Sequence, residues 1–373
     1  MGGSRLAGAH GPGLAGPSIS MGMADMWLPN PPTLSWLPDH VFVIAEAGVN
    51  HNGDIAVAQR QVDAAADAGA DAIKFQTFKT ERLVTRSAPK AEYQATATGS
   101  GESQFEMLHK LELSAAHHRE LMDHCRDRGI MFLSTPFDEE SADMLDGLDI
   151  AIFKVPSGEV TNLPYLAHLA RKQRPIIMST GMSTLSEVEA AVKTIEDCGN
   201  RELVLLHCTS CYPTAPELAN LRAIQTLAHA FGLPVGYSDH TAGLSVAMAA
   251  VALGARIIEK HFTVDRHLPG PDQSASLEPG ELATLIRGIR EVEQALGDGR
   301  KVPVAAERDT AAAARKSLVV GSDQAAGTQL TAEMLAIIRP GTGLPPAMLE
   351  EIIGRTLSTD VVAGTVLQRD MLV

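Results

Sequence analysis

At 373 residues, 45% hydrophobic and 20% charged, the chain has the make-up of an ordinary globular protein with room for one barrel-sized domain and a small second one. Its net charge of −14 argues against a nucleic-acid partner, which calls for a basic surface. No apolar run approaches the ~20 residues of a membrane helix, so no membrane partner is expected. Four cysteines (Cys125, Cys198, Cys208, Cys211) are too few and too scattered for a disulfide framework and fit a reducing cytoplasm.

Residues 1–38, rich in Gly, Pro and Met, lack the apolar core of a signal peptide and read as a disordered or mis-called N-terminal tail. Eight short apolar runs follow, each ending on polar chemistry. VFVIAE ends at Glu46, DAIKFQ carries Lys74 and Gln76, IMFLST ends at Ser134 and Thr135, and IAIFKVPS carries Lys154 and Ser157. PIIMST ends at Ser179 and Thr180, and ELVLLHCTS at His207, Thr209 and Ser210. LPVGYSDH ends at Ser238, Asp239 and His240, and ARIIEKH at Glu259, Lys260 and His261.

Stretches of helical periodicity separate the runs, for example residues 55–69 and 114–129, each closed by a glycine. Eight β-α units predict an α/β fold of the (β/α)8 barrel type over residues 39–299, with the active site at the carboxyl ends of the strands. The connection from Phe78 to about Leu113 is unusually long, and such loops on the strand-end face are commonly functional. Residues 300–315 read as a charged, Ala-rich linker. Residues 316–373 read as a compact mixed domain, with β-type runs SLVVGS and TVLQRD and a small helix in MLEEIIG.

His240 and His261 end neighbouring strands, so both imidazoles can face one cavity and suit a divalent metal that completes its shell with water and substrate. Glu259 shares a strand face with His261. Lys74 and Lys154 lie inside apolar strands, where an anion must meet them; phosphate or carboxylate, helped by hydroxyls of Thr135, Ser157 and Ser238, is the natural partner. An internal ion pair with Glu46 is the structural alternative, and a Schiff-base lysine the catalytic one. Glu46 is placed to orient or deprotonate a water, and His51 reads equally as a ligand or a structural hydrogen-bonder. The single CxxC of Cys208 and Cys211 is read as barrel packing rather than a zinc site.

The runs IAEAGVNHNGD, DAIKFQTF, KAEYQ, FLSTPFD, FKVPSGE, MSTGM, LLHCTSCYPT, GYSDHT, EKHFTVDR and LPGPDQSASLEP, in this order, resemble the sialic-acid (N-acetylneuraminate) synthase family, which includes legionaminate synthases. RKSLVV, IIRPGTGL and TVLQRDMLV resemble that family's C-terminal antifreeze-like (SAF) domain. The resemblance implies condensation of phosphoenolpyruvate with an N-acylated mannosamine-type sugar and water, giving a nine-carbon 2-keto acid and phosphate.

It implies a divalent metal held by His240 and His261, manganese before magnesium or cobalt, acting as a Lewis acid on the sugar aldehyde. Phosphoenolpyruvate would be held by Lys74, Thr135, Lys154, Ser157, Ser210 and Ser238. Gln76, Tyr212 and Arg339 would serve the sugar, Arg339 being lent to the partner subunit's site in a domain-swapped homodimer. Glu46 and Glu259 would be the catalytic carboxylates. Ala97 and Ser210 stand where relatives often carry asparagine, near the expected acceptor pocket. The expected activity is N-acetylneuraminate synthesis, with a legionaminate synthase using 2,4-diacetamido-2,4,6-trideoxymannose as the alternative and a Schiff-base aldolase behind both.

Overall fold

The computed structural model describes residues 34–99 and 101–373, and the chain divides into two compact units, residues 1–299 and 300–373. In the first unit, β1 (Phe42–Gly48), β2 (Ala72–Thr77), β3 (Met131–Pro136), β4 (Phe153–Val155), β5 (Ile176–Ser179), β6 (Leu203–Cys208), β7 (Val235–Asp239) and β8 (Ile257–His261) close in chain order into a parallel barrel. Each strand overlaps one of the apolar runs, with β1, β2 and β3 continuing one or two residues past its end.

Strand period explains the placement of the chemistry. On β1, Val43, Ala45 and Ala47 face outward into the main core, whereas Phe42, Ile44 and Glu46 face inward. The same alternation carries Ala72 to Lys74, Leu133 to Thr135, Ile152 to Lys154, Ile177 to Ser179 and Ile257 to Glu259. The amino-terminal half of the barrel interior is thus a dry plug of Phe42, Ile44, Ala72, Leu133, Ile177, Val204, Leu206 and Ile257. One step further along each strand the interior turns polar. Gly236 takes an inward position on β7 because a Cβ there would lie 2.5 Å from the Ile257 carbonyl oxygen.

Outside the barrel lie α1 (Ile55–Asp67) and, after β2, a lobe of three short helices: α2 (Thr80–Leu83), α3 (Glu92–Thr98) and α4 (Gln104–His109). Then come α5 (Ala115–Arg128), α6 (Glu139–Gly147), α7 (Leu163–Ala170), α8 (Leu185–Asp197), α9 (Ala223–Phe231), α10 (Ser245–Ala252) and α11 (Pro279–Leu296). Side-chain caps start several of these helices. Asp54, Ser114 and Thr184 accept from backbone N–H groups of α1, α5 and α8, satisfying donors that helix geometry leaves free.

The expected tail is shorter than residues 1–38. Leu34 is buried, and Trp36 and Leu37 pack with it against the apolar plug, so residues 34–38 belong to the barrel. Residues 1–33 lie outside the described residues. The second unit begins with α12 (Arg308–Ala314), so the expected linker is partly helical. It continues with β9 (Ser317–Val320), antiparallel to β10 (Leu335–Ile338), and the short α13 (Leu349–Ile352). TVLQRD meets β9 antiparallel at the Val319–Val366 bridge, with the Val320 N–H donating to the Thr365 carbonyl and the Leu367 N–H to the Leu318 carbonyl, while the named strand β10 comes from the residues before Arg339. Leu318, Val320, Leu330, Leu344, Leu357 and Leu367 give this unit a core of its own. Among the described residues no helix is long and apolar enough to cross a membrane.

Candidate active site

Parallel register brings the inward polar residues together. Glu46 on β1 stands opposite Lys74 on β2 and His261 on β8, and Ser238 on β7 stands opposite Glu259. They line a cavity of about 500 Å³ at the carboxyl ends of the strands, roofed on one side by the α2–α4 lobe. Glu46, Lys74, Gln76, Thr135, Lys154, Ser157, Ser210, Tyr212, Ser238, His240, Glu259 and His261 all border it. Arg339 does not. It is an exposed residue of the second unit whose Nε donates to the Ala314 carbonyl oxygen (3.0 Å).

The floor is a chain of alternating buried charges. Lys74 Nζ lies 2.6 Å from Glu46 Oε2 and 3.8 Å from Glu259 Oε2, and donates to Thr135 Oγ1 at 3.0 Å. Lys154 Nζ lies 3.4 Å from Glu259 Oε1 and donates to Ser179 Oγ at 2.8 Å. The ion pair with Glu46 is therefore present, and it is one link in a four-charge network lining the cavity.

Burial alone would favour the neutral form of every member. It raises the Glu46 pKa despite Lys74 beside it, and lowers that of Lys154 despite Glu259. Burial also opposes ionisation of Glu259, but two flanking ammonium groups and the Ser238 hydroxyl (2.8 Å) outweigh it and bring the carboxyl to about 2. For Lys74, burial is outweighed by Glu259 and Glu46, and its pKa rises. Glu259 is thus the anchored anion between two lysines, while burial shifts Glu46 in the opposite direction.

The histidine rings stand with centroids 5.3 Å apart. His240 Nδ1 lies 2.8 Å from the Thr209 carbonyl, which can only accept, so Nδ1 carries the hydrogen and Nε2 keeps a free lone pair. His261 Nδ1 is buried with no hydrogen-bond partner among the described residues, and burial, with His240 and Lys74 nearby, holds that ring neutral. Burial opposes a charge on His240, but Cys208 beside it, with the Thr209 carbonyl, outweighs burial and raises its pKa. In the neutral form both rings offer a nitrogen lone pair, which fits a divalent cation. Elsewhere, on the lobe side, Glu81, His109 and Glu112 form a triad whose candidate ligand atoms lie within 4.8 Å of one another.

Other nominated residues prove structural. His51 Nδ1 accepts from the Gly53 backbone N–H (2.9 Å), while its Nε2 is buried with no hydrogen-bond partner among the described residues. His207 bonds the Ala219 carbonyl, and Asp239 pairs with Lys260 at 2.7 Å in the layer outside the cavity. Three cavity residues had no assigned role. Cys208 is buried with Sγ 3.8 Å from His240 Nδ1, while Cys211 is exposed, so Cys208 borders the site instead of merely packing. The Tyr93 ring lies tilted against that of Tyr212 (centroids 4.9 Å apart), which in turn lies 4.3 Å from the His240 ring. Asp272 is buried at the rim, its carboxyl pushed up to about 6 by burial and then by Glu46. Tyr93 and Asp272 stand in the KAEYQ and LPGPDQSASLEP runs, which is the signal that could have found them.

Residues 61–301 match the model of the NeuB family, and residues 315–373 that of the SAF domain. The chain belongs to the NeuB family. It is an enzyme of the sialic-acid synthase group, 49% identical over 330 residues to the N,N'-diacetyllegionaminic acid synthase of Legionella pneumophila, covering 87% of this chain and 93% of that protein. The N-acetylneuraminate-9-phosphate synthase of Mus musculus is 39% identical, covering 84% of this chain and 88% of that one. Among solved structures, the N-acetylneuraminic acid synthetase of Leptospira borgpetersenii, in complex with citrate, superimposes with a TM-score of 0.67 at 36% identity, covering 76% of this chain and 96% of that one.

Proposed function

We propose that this NeuB-family enzyme condenses phosphoenolpyruvate with an N-acylated mannosamine-type sugar, and that its acceptor is the 2,4-diacetamido-2,4,6-trideoxy sugar of a legionaminate synthase ahead of N-acetylmannosamine. The observation that carries the reaction is the pair of buried lysines beside two histidines on the cavity floor. Both ammonium groups now face carboxylates, and a phosphate with its neighbouring carboxylate would compete for them. The acceptor assignment draws on 49% identity to a legionaminate enzyme against 39% to a sialate-9-phosphate enzyme.

In this reading Lys74 and Lys154, with the hydroxyls of Thr135, Ser157, Ser210 and Ser238, hold the phosphate and carboxylate of phosphoenolpyruvate. Its methylene carbon attacks the aldehyde carbon of the open-chain sugar. Water then adds to the cationic carbon left behind, and the carbon–oxygen bond to phosphate breaks. Glu46, the carboxyl with the raised pKa, orients that water and takes its proton. Glu259 fixes both lysines, so positioning and preset charge lower the barrier. A divalent cation on His240 and His261, manganese by the family resemblance, would supply electrophilic activation of the aldehyde oxygen. Gln76 and Tyr212 meet the sugar. The resemblance adds a domain-swapped homodimer in which Arg339 reaches the partner's sugar, and the sparse cysteines fit a reducing cytoplasm.

The test is phosphate release from phosphoenolpyruvate with manganese, comparing the two acceptors. Turnover with either supports the condensation, and preference for the diacetamido sugar supports the acceptor. Release with neither defeats both. A Schiff-base aldolase draws on one observation, the lowered pKa of Lys154, and predicts irreversible inactivation by borohydride with pyruvate.

A further inference from the structure

His240 and His261 lie just past the point where β7 and β8 stop pairing. The ladder runs through Tyr237–Ile258, Ser238–Glu259 and Asp239–Lys260, and β7 ends at Asp239. His261 keeps a place opposite Glu46 of β1, and its carbonyl accepts from the Leu277 N–H (2.8 Å). His240 is held from the other side, its carbonyl accepting from the Thr214 N–H (2.8 Å) and its Nδ1 donating to the Thr209 carbonyl. These contacts tie each histidine to a different neighbour, and none of them ties one histidine to the other.

One side chain spans that gap. Lys260, the residue before His261, sends its ammonium to Asp239 Oδ2 at 2.7 Å and to the Thr241 carbonyl at 2.5 Å, the two residues that flank His240. Asp239 Oδ1 in turn accepts from the Thr241 N–H (2.8 Å), closing a hydrogen-bonded ring around His240. The Lys260 and Asp239 side chains are 1% and 0% exposed, and neither borders the cavity. Burying such a pair costs desolvation of both charges, and apolar residues of the same volume would hold two strands together about as well. What the pair adds is direction, because a hydrogen-bonded ammonium fixes distances that apolar packing leaves looser.

We infer that the Lys260–Asp239 pair is the strut that sets the spacing of His240 and His261, and with it the affinity of the site for a divalent cation. The inference rests on the reading that these two histidines hold that cation, and adds to it the residues that position them. Two imidazole nitrogens that share one ion must each approach it to about 2 Å, so a slip of a few tenths of an ångström between the strand ends weakens the site. Ser238 and Glu259, one step earlier, are joined by their own hydrogen bond (2.8 Å). The anion-binding floor is therefore expected to survive loss of the strut.

The experiment measures manganese binding to the metal-stripped enzyme by loss of the free-ion EPR signal. The His240→Ala/His261→Ala double variant gives the baseline for binding elsewhere on the chain. Phosphoenolpyruvate binding to the same metal-free proteins is measured by calorimetry. Asp239→Asn/Lys260→Met removes both charges together, so no charge is stranded and the net charge beside the site is unchanged. It is expected to raise the manganese Kd about 10-fold while the phosphoenolpyruvate Kd stays within about twofold. Should that variant not fold by circular dichroism, Asp239→Asn/Lys260→Gln, which keeps a donor in the buried layer, takes its place with the same expectation. Leu121→Ala, in the core where α5 packs on α1 and β3, is the destabilised control and should keep the wild-type manganese Kd. An unchanged manganese Kd in the folded pair variant overturns the inference. Equal weakening of phosphoenolpyruvate and manganese also overturns it, as does an equal rise in Leu121→Ala, since either makes the effect one of general stability. A wild-type enzyme that binds no more manganese than the histidine double variant defeats the metal reading itself, and the inference with it.

Discussion

The four-charge floor makes a stability prediction that runs against the usual view of salt bridges. Removing one member of a buried pair strands its partner, whereas removing both removes the penalty. Lys74→Met leaves Glu46 and Glu259 facing each other with a single lysine, and should cost about 3–5 kcal/mol in urea denaturation. Adding Glu46→Gln to that variant should restore part of the loss, while activity stays absent in both. A double variant less stable than Lys74→Met would show that the network acts through packing and not charge. A second residue-scale device is Gly181, whose backbone N–H donates to Ser157 Oγ (2.9 Å). A Cβ there would lie 2.3 Å from Ser210 Oγ and 2.9 Å from Ser157 Oγ, so Gly181→Ala must displace both hydroxyls. The expected result is a KM for phosphoenolpyruvate raised about 10-fold with kcat changed much less, the signature of lost ground-state binding. His51 supplies a pH prediction. Burial, then His118 and His117, lower its pKa to about 4 from 6.5, with Asp54 opposing. The folded state keeps the ring neutral while the unfolded chain protonates below 6.5, so stability is complete above that pH and falls as pH drops toward 4, by about 3 kcal/mol. His51→Asn keeps an acceptor for the Gly53 N–H and removes the titration. Denaturation midpoints at pH 7 and pH 5 should therefore differ less in the variant than in the wild type.

Among the elements, the eight strands were legible because each is a short, near-continuous apolar run ending on polar residues, as strands of a parallel barrel buried on both faces must be. Convergence of Lys74, Lys154, Glu46 and Glu259 follows from the same pattern, since inward positions on neighbouring strands must meet. Their mutual pairing was less legible, because strand order and register decide which lysine faces which carboxylate. The lobe was invisible as structure. Its helices of four, seven and six residues are too short to announce themselves by periodicity, and they persist by packing on Phe78, Leu111 and one another. Tyr93 and Asp272 went unassigned for a related reason: neither a seven-residue helix nor a loop carries the strand alternation from which a direction can be read. In the second unit TVLQRD, β-type by composition, does pair antiparallel with β9 about the Val319–Val366 bridge, but over too short a stretch to form a strand as β10 does. The lobe's dependence on its core can be checked. Leu111 is buried in that core but does not line the cavity. Leu111→Ala should loosen the lobe locally, speeding proteolysis within residues 78–113 and raising the acceptor KM severalfold. The phosphoenolpyruvate KM and the global melt should change little.

At the scale of the whole molecule, the two units each have a core, and the residues proposed for chemistry are divided between them. His240 belongs to the first, and Arg339, exposed and bonded only to the Ala314 backbone among its described contacts, to the second. If Arg339 serves the partner's sugar, one site needs residues from two chains, and the defects His240→Ala and Arg339→Ala become complementary. Each homodimeric variant should be inactive or nearly so. In a mixed dimer, one site collects both defects and the other collects neither. Random exchange of equal amounts makes half the dimers mixed with one intact site each, so recovered activity should approach about a quarter of wild type. An arginine acting within its own chain predicts no recovery, because both sites of the mixed dimer would then carry one defect. Recovery should also lag mixing, since subunits must dissociate first. Mixing two variants of the same unit, His240→Ala with His261→Ala, serves as the control and should recover nothing under either arrangement.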